Sequence, residues 1–151
     1  MRIQVILLVI ASLDGIATAQ PKKGLQLQDL PAPVQQTVRE TLKGGDIKSI
    51  GKEKEDGIEQ YEVETVLNGR SRDFEVDTKG KLLVLEEATT IDAIPAAAKA
   101  SILKKVADGK LSTVETYSKT GLPMMYEASF ADKKGKKHEV LVKSDGTETK
   151  E

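Results

Sequence analysis

Four carboxylates, Glu62, Glu64, Asp73 and Glu75, have the most direct claim to chemistry in this sequence. They flank Asn68-Gly69, a pair that tolerates positive φ at both central positions and so suits a two-residue type I′ hairpin turn. Counting outward from that turn sets Leu67 opposite Arg70, Thr65 opposite Arg72, Val63 opposite Phe74 and Tyr61 opposite Val76. These pairs share one side of the sheet because the side-chain period is two. That side carries the aromatic and β-branched residues and is assigned to the core. The other side sets Val66 opposite Ser71, Glu64 opposite Asp73 and Glu62 opposite Glu75. Like charges directly opposite one another destabilise a sheet, so folding alone does not account for the group. One account is a solvated face relieved by Lys48 and Lys52 on the preceding strand. The other is a docking patch for a cationic partner or for a hard divalent ion, which takes oxygen ligands.

Catalysis finds little support. Paired carboxylates can hydrolyse glycosides, but Glu62 and Glu75 would lie on a flat sheet face without a cleft. The single histidine, His138, aligns with Phe74 on the core-facing side of its strand. It reads as a half-buried sheet residue, without the oriented acid and nucleophile that catalysis requires. No GxSxG, HExxH or phosphate-binding glycine loop occurs, and no calcium loop surrounds Asp145-Gly146. The absence of cysteine removes disulfides, thiolate metal sites and a Cys nucleophile. With 23 basic and 24 acidic residues there is no basic stripe for nucleic acid. The sequence predicts a protein that is not an enzyme, with no cofactor and no assigned metal site.

The elements that position these residues follow from the chain order. Arg2, the apolar run Ile3 to Leu13 and Ala17-Thr18-Ala19 form a secretory signal peptide over residues 1–19, cleaved after Ala19. That run is too short to span a bilayer, and the remainder has no other candidate span. A periplasmic or secreted product is expected. Residues 20–28 read as a flexible lead-in. Leu30-Pro31-Ala32-Pro33 opens a helix with Asp29 as its cap, and Val34, Val38 and Leu42 give one apolar stripe. Gly44-Gly45 ends it. A strand from Asp46 to Lys54, the Asn-Gly hairpin, a turn at Thr78-Lys79-Gly80 and a strand from Lys81 to Leu85 follow.

The pattern then restarts. Ile94-Pro95 echoes Leu30-Pro31, Ile102 and Val106 fall where Val38 and Leu42 map, and Gly109 maps to Gly45. Tyr126-Glu127 corresponds to Tyr61-Glu62, and Glu139-Val140 to Glu75-Val76. This alignment sets Glu127 opposite Glu139, Ser129 opposite Lys137 and Met125 opposite Leu141. The fold class is therefore α+β, with two tandem repeats over residues 29–87 and 92–151. Each repeat is a helix plus a four-stranded antiparallel meander. A unit of that size is marginal alone, so the repeats must share a core or form one curved sheet.

Asp56-Gly57, Tyr61-Glu62-Val63, Asn68-Gly69, Phe74-Glu75-Val76-Asp77 and Gly80-Lys81-Leu82-Leu83 together resemble a PepSY domain. Two such units behind a signal peptide are similar to PepSY-like proteins with a β-lactamase-inhibitor-like fold. The resemblance implies a helix packed across a curved antiparallel sheet, in exported, non-enzymatic modules. Some of these act as peptidase propeptides or suspected inhibitors.

The functional expectation is an exported protein-binding module, an inhibitor or a chaperone-like partner of an envelope or secreted protein. It would bind through the solvent face of the sheet with Glu62, Glu64, Asp73, Glu75, Met125, Glu127 and Glu139. The alternative is a small-ligand or divalent-cation carrier using the same carboxylates. Lys133, Lys134, Lys136 and Lys137 form a basic turn that reads as a solvated loop.

Overall fold

The computed structural model describes residues 24–149 except Asp56. The expected signal peptide and the first part of the lead-in lie outside the described residues. A 3₁₀ turn, Leu27–Asp29, precedes α1 (Ala32–Leu42), which is followed by β1 (Asp46–Glu55), β2 (Ile58–Leu67), β3 (Arg70–Asp77) and β4 (Leu82–Ala88). Then come α2 (Ala96–Val106), β5 (Lys110–Lys119), β6 (Met125–Ala131), β7 (Lys137–Lys143) and the short β8 (Glu148–Thr149). The strands form one eight-stranded sheet in sequence order, and every neighbouring pair is antiparallel. The joint between the first and second four strands is a ladder from Val84–Lys119 to Ala88–Glu115.

Both helices lie on one face. Val34 and Val38 of α1 pack on Ile50, Tyr61, Val63, Phe74 and Val76. Ala98, Ile102 and Val106 of α2 pack on Val114, Ala128, Phe130, Val140 and Val142. These are separate clusters, so the halves are joined through the sheet rather than through one core beneath the helices. A third cluster lies on the opposite, helix-free face, where Val84, Tyr117, Met125 and Leu141 pack with Leu83 across the β4–β5 joint. Tyr117 is only 3% exposed there without a helix above it; the curl of the sheet provides the cover. Burying a large apolar side chain is worth about 1.5–3 kcal/mol, so this cluster ties the halves together.

Local chemistry fixes the helices to the sheet. Pro31, with φ −55°, takes the cap position of α1, and Lys43 ends the helix in the left-handed region at φ 49°. The expected cap, Asp29, serves the 3₁₀ turn instead: its Oδ2 accepts from the Gln26 N–H at 2.8 Å. The extended Leu30 separates Asp29 from the helix. Arg72, only 4% exposed, donates from Nε to Glu87 at 2.8 Å and from its terminal nitrogen to the Thr41 carbonyl. A buried guanidinium thus holds the last turn of α1 on β3, at the helix end where positive charge is favoured. At the other end of each helix a turn glycine touches the first helical turn. A Cβ on Gly80 (φ +88°) would sit 2.7 Å from the Pro33 carbonyl oxygen, and one on Gly146 (φ +84°) 2.7 Å from that of Ala97.

The first hairpin has the register counted from its turn, with Leu67–Arg70, Val66–Ser71, Val63–Phe74, Glu62–Glu75 and Tyr61–Val76 as partners. Between them, side chains replace ladder bonds. The Thr65 N–H donates to Asp73 Oδ1 at 2.7 Å, and Thr65 Oγ1 donates to the Arg72 carbonyl.

The second hairpin differs from expectation by two residues. Glu127 faces Leu141, Ser129 faces Glu139 and Met125 faces Lys143. The cause is the turn at residues 132–136. The Asp132 N–H donates to the Lys136 carbonyl and the Gly135 N–H to the Asp132 carbonyl. Asp132 Oδ1 accepts from the N–H groups of Lys134 and Lys136. Asp77 makes the same bonds to the N–H groups of Lys79 and Lys81 in the β3–β4 turn. The Asp132 turn therefore needs more residues than an Asn-Gly turn. In consequence His138 faces Phe130, and Val140, facing Ala128, takes the place that Phe74 has beside Val63.

Candidate functional site

The helix-free face contains the candidate carboxylates, and β1 adds to them. Gly51 pairs with Glu62, Glu53 with Gln60 and Glu55 with Ile58, so Glu53 and Glu55 share the face of Glu62 and Glu75. The expected relief by Lys48 and Lys52 does not occur. Lys52 pairs with Tyr61, which turns it to the helix side. It meets Glu59 there at 3.3 Å. Lys48 lies at the irregularity between Ile47 and Ser49 and has no ion pair among the described residues.

One amide organises the centre of the acidic group. Gln60 is 3% exposed, and its Nε2 donates to Glu53 Oε1 at 2.9 Å, Glu55 Oε2 at 3.1 Å and Glu75 Oε2 at 2.9 Å. An amide has two N–H bonds for these three acceptors, so the carboxylates are one donor short. Glu53, Glu55 and Glu75 each bring an oxygen within 4.8 Å of the others. Lys119 approaches Glu55 only at 3.9 Å. Desolvation of the half-buried Glu75, reinforced by Glu55 and Glu53, pushes its carboxyl up to about 7. The spacing is compatible with oxygen ligation of a hard cation. The Gln60 nitrogen, however, occupies the point on which all three oxygens converge, so the divalent-cation reading is the less favoured one.

The remaining sites differ in availability. Glu64 accepts from Ser49 Oγ at 2.6 Å. Both oxygens of Asp73 are engaged, by the Thr65 N–H and by Ser71 Oγ at 2.7 Å, so Asp73 serves the hairpin. Glu62 is exposed and makes no hydrogen bond or ion pair among the described residues; partial desolvation and then Glu53, Glu64 and Asp73 raise its carboxyl. Glu139 is exposed and lies near Glu115. Glu127 is half-buried across from Leu141 rather than from Glu139. Met125 is 5% exposed within the third cluster, so it is a packing residue and not a contact. Sequence reasoning missed Glu53, Glu55, Gln60 and Glu115. Counting outward from Gly57 as from Asn68-Gly69 would have placed the first three. Glu115 is raised by burial and by Asp73, and carries the acidic face across the β4–β5 joint.

His138 has a structural role. Its ring stacks on Phe130 at 5.4 Å between centroids, and its Nε2 lies 3.1 Å from Asp132 Oδ2. That contact, the largest of several, holds the Asp132 carboxyl below the usual range. The pair secures the turn.

No family model matches the sequence, and no curated protein does. The fold is similar to solved structures from Bacteroides. A protein of Bacteroides eggerthii, provisionally described as periplasmic, superposes with a TM-score of 0.64 at 15% identity over 80% of this chain and 86% of its own. A DUF2874 family protein of Bacteroides uniformis gives 0.63 at 15% identity, covering 80% and 86%. A BLIP-like protein of Bacteroides fragilis gives 0.57 at 15% identity, covering 80% and 84%. At such identity the likeness is one of fold. The chain thus shares its α+β fold, two helices on one antiparallel sheet, with these structures. The PepSY resemblance rests on the motif residues alone. No described helix is long and apolar enough to cross a membrane.

Proposed function

We propose that this chain is an exported, non-enzymatic protein-binding module, an inhibitor or chaperone-like partner that receives a cationic segment of an envelope or secreted protein on its helix-free sheet face. Glu53, Glu55, Glu62, Glu75, Glu115 and Glu139 form the receiving surface. The observation that carries this reading is the crowding of carboxylates around Gln60 with Lys119 as their nearest cation. Packed like charges cost stability that the fold does not recover, and an incoming ammonium or guanidinium would recover it. A BLIP-like neighbour and a provisionally periplasmic one are in keeping with an exported binding module. Export itself rests on the leader in residues 1–19, cleaved after Ala19.

The same reading treats the chain as a doubled unit, residues 29–87 and 92–151. Its support is the matched seating of Gly80 on the first turn of α1 and of Gly146 on that of α2.

The test pairs affinity capture from the exporting cell's envelope fraction with calorimetric titration of an oligolysine peptide. Glu62→Lys/Glu139→Lys alters exposed positions only and should abolish capture of a specific partner. It should also weaken the peptide by at least tenfold. A variant that retains every captured partner and the full heat of titration would remove this surface from consideration.

A further inference from the structure

The turn joining β6 to β7 carries Lys133, Lys134, Lys136 and Lys137, all exposed. Folding enlarges this group. Lys133 Nζ lies 2.5 Å from Asp108 Oδ2, which sets the turn against the end of α2 and its last-turn Lys104 and Lys105. Lys110 and Lys137 flank the same residue, Ala131, from β5 and β7. Three of the acids nearby are already engaged: Asp108 by Lys133, Glu148 by Lys105 at 2.9 Å, and Asp132 by its own turn and His138. Glu139, two residues along β7 from Lys137, is exposed and makes no ion pair with these lysines. Lys110, Lys134, Lys136 and Lys137 have no acidic partner among the described residues. The negative end of the helix accounts for Lys104 and Lys105. It does not account for four ammonium groups in one tight turn, which repel one another.

We propose that this basic corner docks the protein on an anionic lipid bilayer. The inference is independent of the acidic sheet face. The charges sit on a projecting turn, so they meet a flat surface more readily than a strand that needs a channel. Exposed aromatic platforms of the kind that stack nucleic-acid bases are missing among the described residues. The cations are all lysine, which specific protein interfaces disfavour. A strongly hydrated point charge suits attraction to headgroup phosphates across a water layer.

The experiment is co-sedimentation of the full chain with vesicles of phosphatidylcholine alone or with about one-third phosphatidylglycerol, at low salt. Each lysine near an anionic surface contributes about fivefold in partitioning. Lys133 is already paired with Asp108, so the three unpaired lysines set the effect. Lys133→Gln/Lys134→Gln/Lys136→Gln/Lys137→Gln should lower binding to the anionic vesicles by on the order of a hundredfold. All four positions are exposed, and an unchanged melting temperature confirms the variant's fold. Lys48→Gln/Lys54→Gln/Lys79→Gln/Lys81→Gln changes net charge equally and should bind as the parent does. Any contribution of residues 1–23 is common to all three proteins. Equal binding to both vesicle types, undiminished binding by the turn variant, or equal loss in the control variant would overturn the proposal. So would binding to polyglutamate without binding to vesicles.

Discussion

Glu75→Gln isolates the strain in the acidic face. A carboxyl held near 7 instead of its ordinary 4.5 favours its protonated form in the fold. The folded state therefore binds the proton more tightly than the unfolded chain between those values. The stabilisation is complete below pH 4.5 and is lost as pH rises through about 7. Taken at face value, such a displacement corresponds to about 3 kcal/mol. Glu75 is only half-buried, and solvent screening reduces the effect to about 1–2 kcal/mol. Glutamine keeps an oxygen to accept from Gln60 but cannot ionise. Urea unfolding at pH 5 and pH 8 should show the variant close to the parent at the lower pH and more stable by that amount at the higher. Glu62 and Glu115 titrate in the same direction in both proteins, so the difference between the proteins reports Glu75. A variant destabilised equally at both values would refute the reasoning, because it would mean that the carboxylate serves the fold.

Two further outcomes test the architecture. Gly80→Ala and Gly146→Ala each force a Cβ against a helix carbonyl and should cost about 3 kcal/mol or more. Gly121→Ala has a similar φ of +88° with nothing within 4 Å and should cost about 1 kcal/mol; equal shifts in melting temperature would show that the helix contact is unimportant. Calorimetry of the parent should give one transition, because the third cluster bridges the halves. Tyr117→Ala should remove about 3–5 kcal/mol and separate or broaden the transition. Two transitions in the parent would mean that the β4–β5 joint does not couple the halves.

Short-range chemistry was legible in the sequence. Asn68-Gly69 fixed a register that places Tyr61, Val63, Phe74 and Val76 under α1. The stripes Val34/Val38 and Ile102/Val106 located the buried helix faces. Long-range consequences were not legible. Nothing local to Val84 or Lys119 says that β4 joins β5, because one strand edge resembles another until the chain is folded. Met125 reads as an open contact by parity, yet the curl of the sheet buries it. Gln60 reads as a solvent-facing polar residue, and only the convergence of β1 and β3 on it explains its burial. The β6–β7 turn could have been recovered. Asp132-Lys133-Lys134-Gly135-Lys136 repeats the spacing of Asp77-Thr78-Lys79-Gly80-Lys81, a likeness that outweighs alignment to Asn68-Gly69.

That turn also shows how such a meander can change length. The displacement of two residues in β7 leaves Val140 and Val142 under α2, Leu141 in the cluster on the opposite face and Glu139 exposed, because the pleat repeats every second position. A displacement of one would invert the strand and drive Glu139 and Leu141 beneath α2. Hairpins of this chain can thus drift in even steps at little cost, whereas an odd step inverts the strand unless a bulge restores parity.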